Sequence, residues 1–277
     1  MTGDRIKWGP VLIRAAGFVR SYENTSVTLR QLHYRLVAEQ LVPNTKGSYK
    51  SLSDRTAKAR RAGTFPELTD RDRHIHRHPA WDSSQDALDA IAGQYRRDRT
   101  DGQSWSIYLA VEKAGIIEQL LTWFGGLGVP ILALSGYASQ SYVDAVGRDV
   151  SVAERPAVLL YAGDFDASGE DIDRDFIKRT DCWDKIVRVA LTADQVEQYG
   201  LPVSFGKDGD SRRKTFEARH GANVQVELDA LAPADLKALY AEAIDGFWDT
   251  SAYEAVLAEE QAEREHLYDV AERHGEL

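Results

Sequence analysis

"LLYAGDFDASGEDID", residues 159–173, carries an apolar run straight into Asp164 and Asp166, with Gly169 close behind. A short apolar run bounded by small residues predicts a buried strand. Side chains alternate along a strand, so acids two apart point to one side. Two anions on one side repel unless something positive lies between them, and a divalent metal is the expected group. The competing reading is a helix cap. A helical segment starts near Ser168, and its N-terminal dipole favours acids just before it.

Three further apolar runs share the second part of the chain with residues 157–166: "WSIYLAVE" (105–112), "VPILALSG" (129–136) and "KIVRVALT" (185–192). Helical segments such as "KAGIIEQLLTWFGGLG" and "SGEDIDRDFIKRT" lie between them. Strand–helix alternation with near-continuous apolar strands predicts an α/β fold around a four-stranded parallel sheet covered on both faces. In such sheets ligands gather at the carboxyl ends of the strands. Glu112 closes the first expected strand, and Asp164 and Asp166 close the third. All three are expected to converge there, with Gly115 and Gly169 admitting close backbone approach. Hard oxygen ligands of this kind suit Mg²⁺, with Mn²⁺ as a substitute.

The first hundred residues differ in kind. They hold 18 basic and 11 acidic residues, a balance of +7, whereas the remainder holds 16 and 33, a balance of −17. A basic part joined to an acidic part suggests a polyanion-binding module joined to something else. Helical spacing runs from Val11 to Tyr22, and again through "NTSVTLRQLHYRLVAEQLV", with Thr25 or Ser26 as its expected cap. "PNTKGSYK" reads as a turn. "SLSDRTAKARRAG" then reads as a short helix capped by Ser51 and ended by Gly63, with Arg55, Lys58 and Arg61 along one side. Helix, turn and basic helix fit a helix-turn-helix or winged-helix module, and equally a basic helix that is merely solvated. His74, His76 and His78 alternate within an irregular stretch, read as a solvated or phosphate-facing loop. "QDALDAIAGQYRRDR" reads as a helix leading to a domain boundary near residue 103, which divides the chain into 1–103 and 104–277. The charged segment 251–275 is expected to be a helix packed on the surface.

The single cysteine, Cys182, excludes an internal disulfide and a cysteine-built zinc site. With no membrane-span pattern and no signal peptide at the start, a cytoplasmic location is expected.

"AVEKAG" and "GDFDASG" together resemble the glutamate and Asp-x-Asp motifs of the Toprim domain, over roughly residues 104–230. "TLRQLHYRLV" resembles the segment around the nucleophilic tyrosine in the A subunit of topoisomerase VI and its meiotic double-strand-break relatives. That family joins a winged-helix (CAP-like) domain to a Toprim domain in the order seen here. The stretches "LTADQVEQYGLP" and "VQVELDALAP" look like those of small stand-alone relatives called Mini-A. The resemblance implies a type IIB topoisomerase A-subunit-like enzyme that cleaves double-stranded DNA. Tyr34 would be the nucleophile, with Arg30 one turn before it. Glu112, Asp164 and Asp166 would hold Mg²⁺, and Glu227 would be a further acid. Arg55, Lys58 and Arg61 would contact DNA. It also implies a homodimer in which one protomer's tyrosine meets the other's metal site, and a separate ATPase B-type subunit, since this chain holds no ATPase motif. His33 stands where the family usually has an aromatic residue.

Unaided, a tyrosine is a weak nucleophile at neutral pH, its phenol pKa lying near ~10. Arg30 shares a helical face with Tyr34 and could hold a phosphate or favour the phenolate, and His33 or Arg35 could assist. The plain alternative is that Tyr34 is one more residue of an amphipathic helix. Two rival functions use the same residues: a metal-dependent nuclease with water as nucleophile, and a non-catalytic DNA-binding protein.

Overall fold

The computed structural model describes residues 6–22, 27–69, 78–205 and 213–275. Four parallel strands form the central sheet: β1 (Ser106–Val111), β2 (Ile131–Ala133), β3 (Ala157–Ala162) and β4 (Lys185–Ala190), in the order β2-β1-β3-β4. The α/β class and the four-stranded parallel sheet expected from the apolar runs are both present. Every residue of β1 and β3 is buried, as the continuous runs require of central strands.

Alternate residues of these strands feed two separate cores. Ile107, Leu109, Val111, Val158 and Leu160 pack with α5 (Ile117–Phe124) and α10 (Pro233–Asp245). Tyr108, Ala110, Leu159 and Tyr161 pack with α6 (Gln140–Val152) and α7 (Ala167–Thr180) on the other face. The period of two thus builds a three-layer sandwich. A buried hydroxyl ties the layers: Tyr240 on α10 donates to the Ala110 carbonyl at 2.7 Å.

The N-terminal helices α1 (Trp8–Ser21), α2 (Leu29–Ala38) and α3 (Lys46–Arg61) enclose an apolar cluster of their own. Phe18, Leu32, Leu36, Leu52 and Phe65 lie at its centre. Two helix starts differ from the expectation. The cap of α2 is Thr28, which forms a reciprocal capping box with Gln31, whereas Thr25 and Ser26 lie outside the described residues. The third helix begins at Lys46, not near Ser51, so the expected turn "PNTKGSYK" is mostly helix. Its cap is Thr45, and buried Ser48 in the first turn bonds the Pro43 carbonyl at 2.5 Å and His33 Nε2 at 2.9 Å. Those tertiary bonds recruit residues that local turn chemistry would release. Thr69 returns to pair with Thr28 in an isolated parallel bridge.

The next helix, α4 (Ser84–Gln94), stops earlier than its pattern predicts. Backbone N–H of Arg97 and the Arg99 guanidinium turn instead to Glu260 on the terminal helix α11 (Thr250–Gly275), against which α4 packs. His78 is exposed, and His74 and His76 lie outside the described residues. Among the described residues, no helix is long and apolar enough to cross a membrane.

Candidate functional site

Strand order brings the acids together. Because β1 lies beside β3, Glu112 and Asp164 leave adjacent strand ends, and the Asp164 N–H donates to Glu112 Oε2 at 2.9 Å. Gly169, in the first turn of α7, backs directly onto them. A Cβ there would lie 2.5 Å from the Asp164 carbonyl and 3.2 Å from Glu112 Oε2, so only glycine fits.

Asp164 and Asp166 then diverge in role. Asp166 caps α7, its Oδ1 accepting from the Gly169 N–H at 2.7 Å, as the helix-cap reading had it. Asp164 is buried and caps nothing. Its Oδ1 accepts from the Leu228 N–H at 2.7 Å and forms an ion pair with Lys113 Nζ at 2.9 Å. Leu228 belongs to a segment stapled to the Asp-x-Asp loop by an antiparallel bridge, with Phe165 and Val226 exchanging N–H···O bonds of 2.9 and 3.0 Å. The staple brings Glu227 and Asp229 into the site.

The positive group between these acids is therefore a lysine. Lys113 is buried, donates to Glu227, pairs ionically with Asp164, and lies 3.7 Å from Asp229 Oδ2. It follows Glu112 at once in sequence, yet only the folded chain reveals its partners. Asp229 was equally hidden. Its side chain is fully enclosed, and neither carboxylate oxygen has a hydrogen-bond partner. Its position two residues after Glu227, repeating the spacing of Asp164 and Asp166, was the available signal.

Helix α2 closes the site from the N-terminal side. Arg30 bonds Glu227 at 3.2 Å and stands 3.7 Å from Asp229, while Arg35 donates to the Ala230 carbonyl at 3.0 Å. Tyr34, half-buried, lies within the field of Glu227, and its ring centre lies 5.5 Å from the Arg30 guanidinium and 5.6 Å from Lys113 Nζ. Tyr34, Arg30, Glu227, Asp164 and Glu112 thus meet within one chain. The tyrosine touches its own chain's acids, whereas the resemblance implies contact across a dimer. His33 and Arg35 have partners of their own. His33 is buried on Ser48 with its ring edge-on to Tyr34, and Arg35 stacks over Phe18 while holding Ala230. Arg55, Lys58 and Arg61 are exposed on α3, with Arg55 over the Trp8 ring. No hydrogen bond or ion pair joins them to the acidic cluster among the described residues.

The electrostatics follow from burial and crowding. Burial and the neighbouring Glu112 and Glu227 charges raise Asp164 to about 8, against the pull of Lys113. Glu112 is raised chiefly by burial as well. For Glu227 burial is outweighed by Lys113 and Arg30, and its carboxyl is held low. Burial and the Glu227 charge raise the Tyr34 phenol, although Arg30 and Lys113 oppose them.

Hard oxygen donors with unrelieved negative charge are the chemistry a dication requires. In this arrangement the acids close around Lys113 instead, and no group of three His, Cys, Asp or Glu among the described residues is disposed to hold a metal ion. Comparison with protein-family models gives no match for this chain, and no curated protein matches it.

Proposed function

We propose that this chain cleaves double-stranded DNA by transesterification through Tyr34, in the manner of a topoisomerase VI A subunit built from a winged-helix domain and a Toprim domain. The observation that carries the reading is the placing of Tyr34 beside Arg30 and Lys113, the two cations that hold the acidic residues. Residues from the basic part and the acidic part form one charged cluster at the carboxyl ends of the central strands. In the reaction, the Tyr34 oxygen bonds to phosphorus as the bond to the 3′ oxygen breaks. The phenol proton passes to the acidic cluster, and the departing 3′ oxygen takes up a proton to become a hydroxyl. The product is a 5′-phosphotyrosyl link that conserves the phosphodiester bond energy.

The resemblance assigns Mg²⁺ to Glu112, Asp164 and Asp166, but Asp166 caps α7 and Asp164 is paired with Lys113, so these acids do not fit a cation as they stand. Arg30 steadies the scissile phosphate, and α3 with Arg55, Lys58 and Arg61 follows the DNA backbone. Under this reading the working unit is a homodimer, and strand passage depends on a separate ATPase subunit.

A raised phenol pKa favours a second reading, a hydrolytic nuclease in which water attacks and the acids alone are needed. Supercoiled plasmid incubated with protein and Mg²⁺ or Mn²⁺, then quenched with detergent, separates the two. DNA that stays attached to protein until protease is added, and is lost in both Tyr34→Phe and Asp164→Ala, supports transesterification. Free-ended cleavage that survives Tyr34→Phe but not Asp164→Ala makes the protein a nuclease. DNA binding without cleavage, unchanged in Asp164→Ala, leaves a binding protein.

A further inference from the structure

Glu227 sits under a convergence of donors. Its Oε2 accepts from Arg30 Nη2 at 3.2 Å and from Lys113 Nζ, and the Tyr34 ring lies beside both cations, 5.5 Å from the guanidinium and 5.6 Å from the ammonium. An arginine and a lysine converging on one oxyanion beside a phenol form the donor set that recognises phosphate, with both cations giving charge-assisted bonds. We propose that Arg30, Lys113 and Tyr34 form a seat for a phosphodiester, and that Glu227 is an internal stand-in which the substrate displaces. The identity of the ligand rests on the DNA-cleavage reading, because free phosphate shares the chemistry.

The surroundings single out Glu227 as the group that leaves. Asp164, the other carboxylate bonded to Lys113, is fixed by the Leu228 N–H at 2.7 Å. Asp229 is sealed in, with no exposed side-chain area, and stays behind as counter-charge to both cations. Glu227 keeps 16% of its side chain exposed, and its ligands in the seat are all side chains. Its backbone is pinned through Val226, so the carboxylate can swing without moving the segment.

The charge balance sets a condition on filling the seat. Among the described residues, Arg30 and Lys113 are the cations paired with Asp164, Glu227 and Asp229, and the surplus of carboxylates repels an anion. Phosphate enters when Glu227 withdraws and takes its negative charge out of the seat.

The test measures binding, not cleavage. A thymidine dinucleotide and inorganic phosphate are titrated by NMR, in Mg²⁺, into the wild type, Glu227→Gln and the double variant Glu227→Gln/Arg30→Gln. Glu227→Gln is expected to bind the dinucleotide roughly tenfold tighter than wild type, and the double variant is expected to lose that gain. Glu227→Asp keeps the charge on a shorter arm. It is expected to show part of the gain, and it serves if the Gln variant does not fold. Equal or weaker dinucleotide binding by the Glu227 variants overturns the proposal, as does a gain confined to inorganic phosphate. Protein-linked cleavage without any binding gain would leave the cleavage reading standing and remove the seat. A binding gain without cleavage would do the reverse.

Discussion

Lys113 illustrates how one side chain can settle a cluster of like charges. Its ammonium answers Asp164, Glu227 and Asp229 together, so removing it leaves Asp164 without a cation and Glu227 and Asp229 with Arg30 alone. Breaking a buried ion pair from one side typically costs about 3–5 kcal/mol. Lys113→Met is therefore expected to lower the urea-unfolding free energy by an amount of that order, and a loss below ~1 kcal/mol would mean that the cluster reorganises freely. Asp164 adds a pH signature. Its folded-state pKa of about 8 lies above the ordinary 3.8, so the folded chain binds the extra proton. The associated stability is fully present below about pH 4 and is lost as pH rises through about 8. Urea midpoints between pH 5 and pH 8.5 are expected to fall more steeply for wild type than for Asp164→Asn. Parallel profiles would contradict the assignment. The acids Glu112, Asp164 and Asp166 were legible because each ends or follows an apolar run. Lys113 and Asp229 were not, since their meaning lies in partners contributed by other segments.

Helix α2 is the element on which the site depends, and its start was misplaced by sequence patterning for a definable reason. Thr28 and Gln31 cap it reciprocally, and Thr28 also pairs with Thr69, a contact that no local pattern encodes. Thr28→Ala is expected to cost about 1 kcal/mol of stability and to weaken the hold of Arg30 and Arg35 on the 227–230 segment. Denaturant titration checks the first effect. At the other side of the site, the first turn of α7 tolerates no side chain at Gly169, where an added Cβ would press on the Asp164 carbonyl. Gly169→Ala is expected to cost about 1–3 kcal/mol, read in the same titration, because the neighbour it meets is backbone. By contrast, α3 began nearly two turns earlier than its pattern suggested, capped by Thr45 and not by Ser51. Ser48 bonds to Pro43 and His33 there, and these tertiary bonds outweigh the turn propensity of "PNTKGSYK".

Across the molecule, charge asymmetry and the four parallel strands were the two properties readable without coordinates, whereas the strand order was not. The four-stranded parallel sheet matches the four apolar runs, and the +7 and −17 parts meet at the Tyr34 cluster. The interleaving of the chain's two ends was not readable. It depends on Glu260, almost fully enclosed on α11, which receives Arg99 and Arg264 and the Arg97 N–H. If the basic part tracks DNA phosphates, affinity falls with salt at a slope of roughly −0.9 per contact. Replacing Arg55, Lys58 and Arg61 by alanine is expected to flatten a log–log salt plot by up to three such contacts. An unchanged slope would move the DNA path away from α3.

The Phe165–Val226 bridge has a consequence in solvent exchange. Each residue's amide is hydrogen-bonded to the other's carbonyl, so neither N–H can reach deuterium unless both segments part. The two amides are therefore expected to exchange as a pair, with matching protection factors and a common response to temperature. Their shared rate would count how often the acidic site opens, read from two backbone protons with no substrate present.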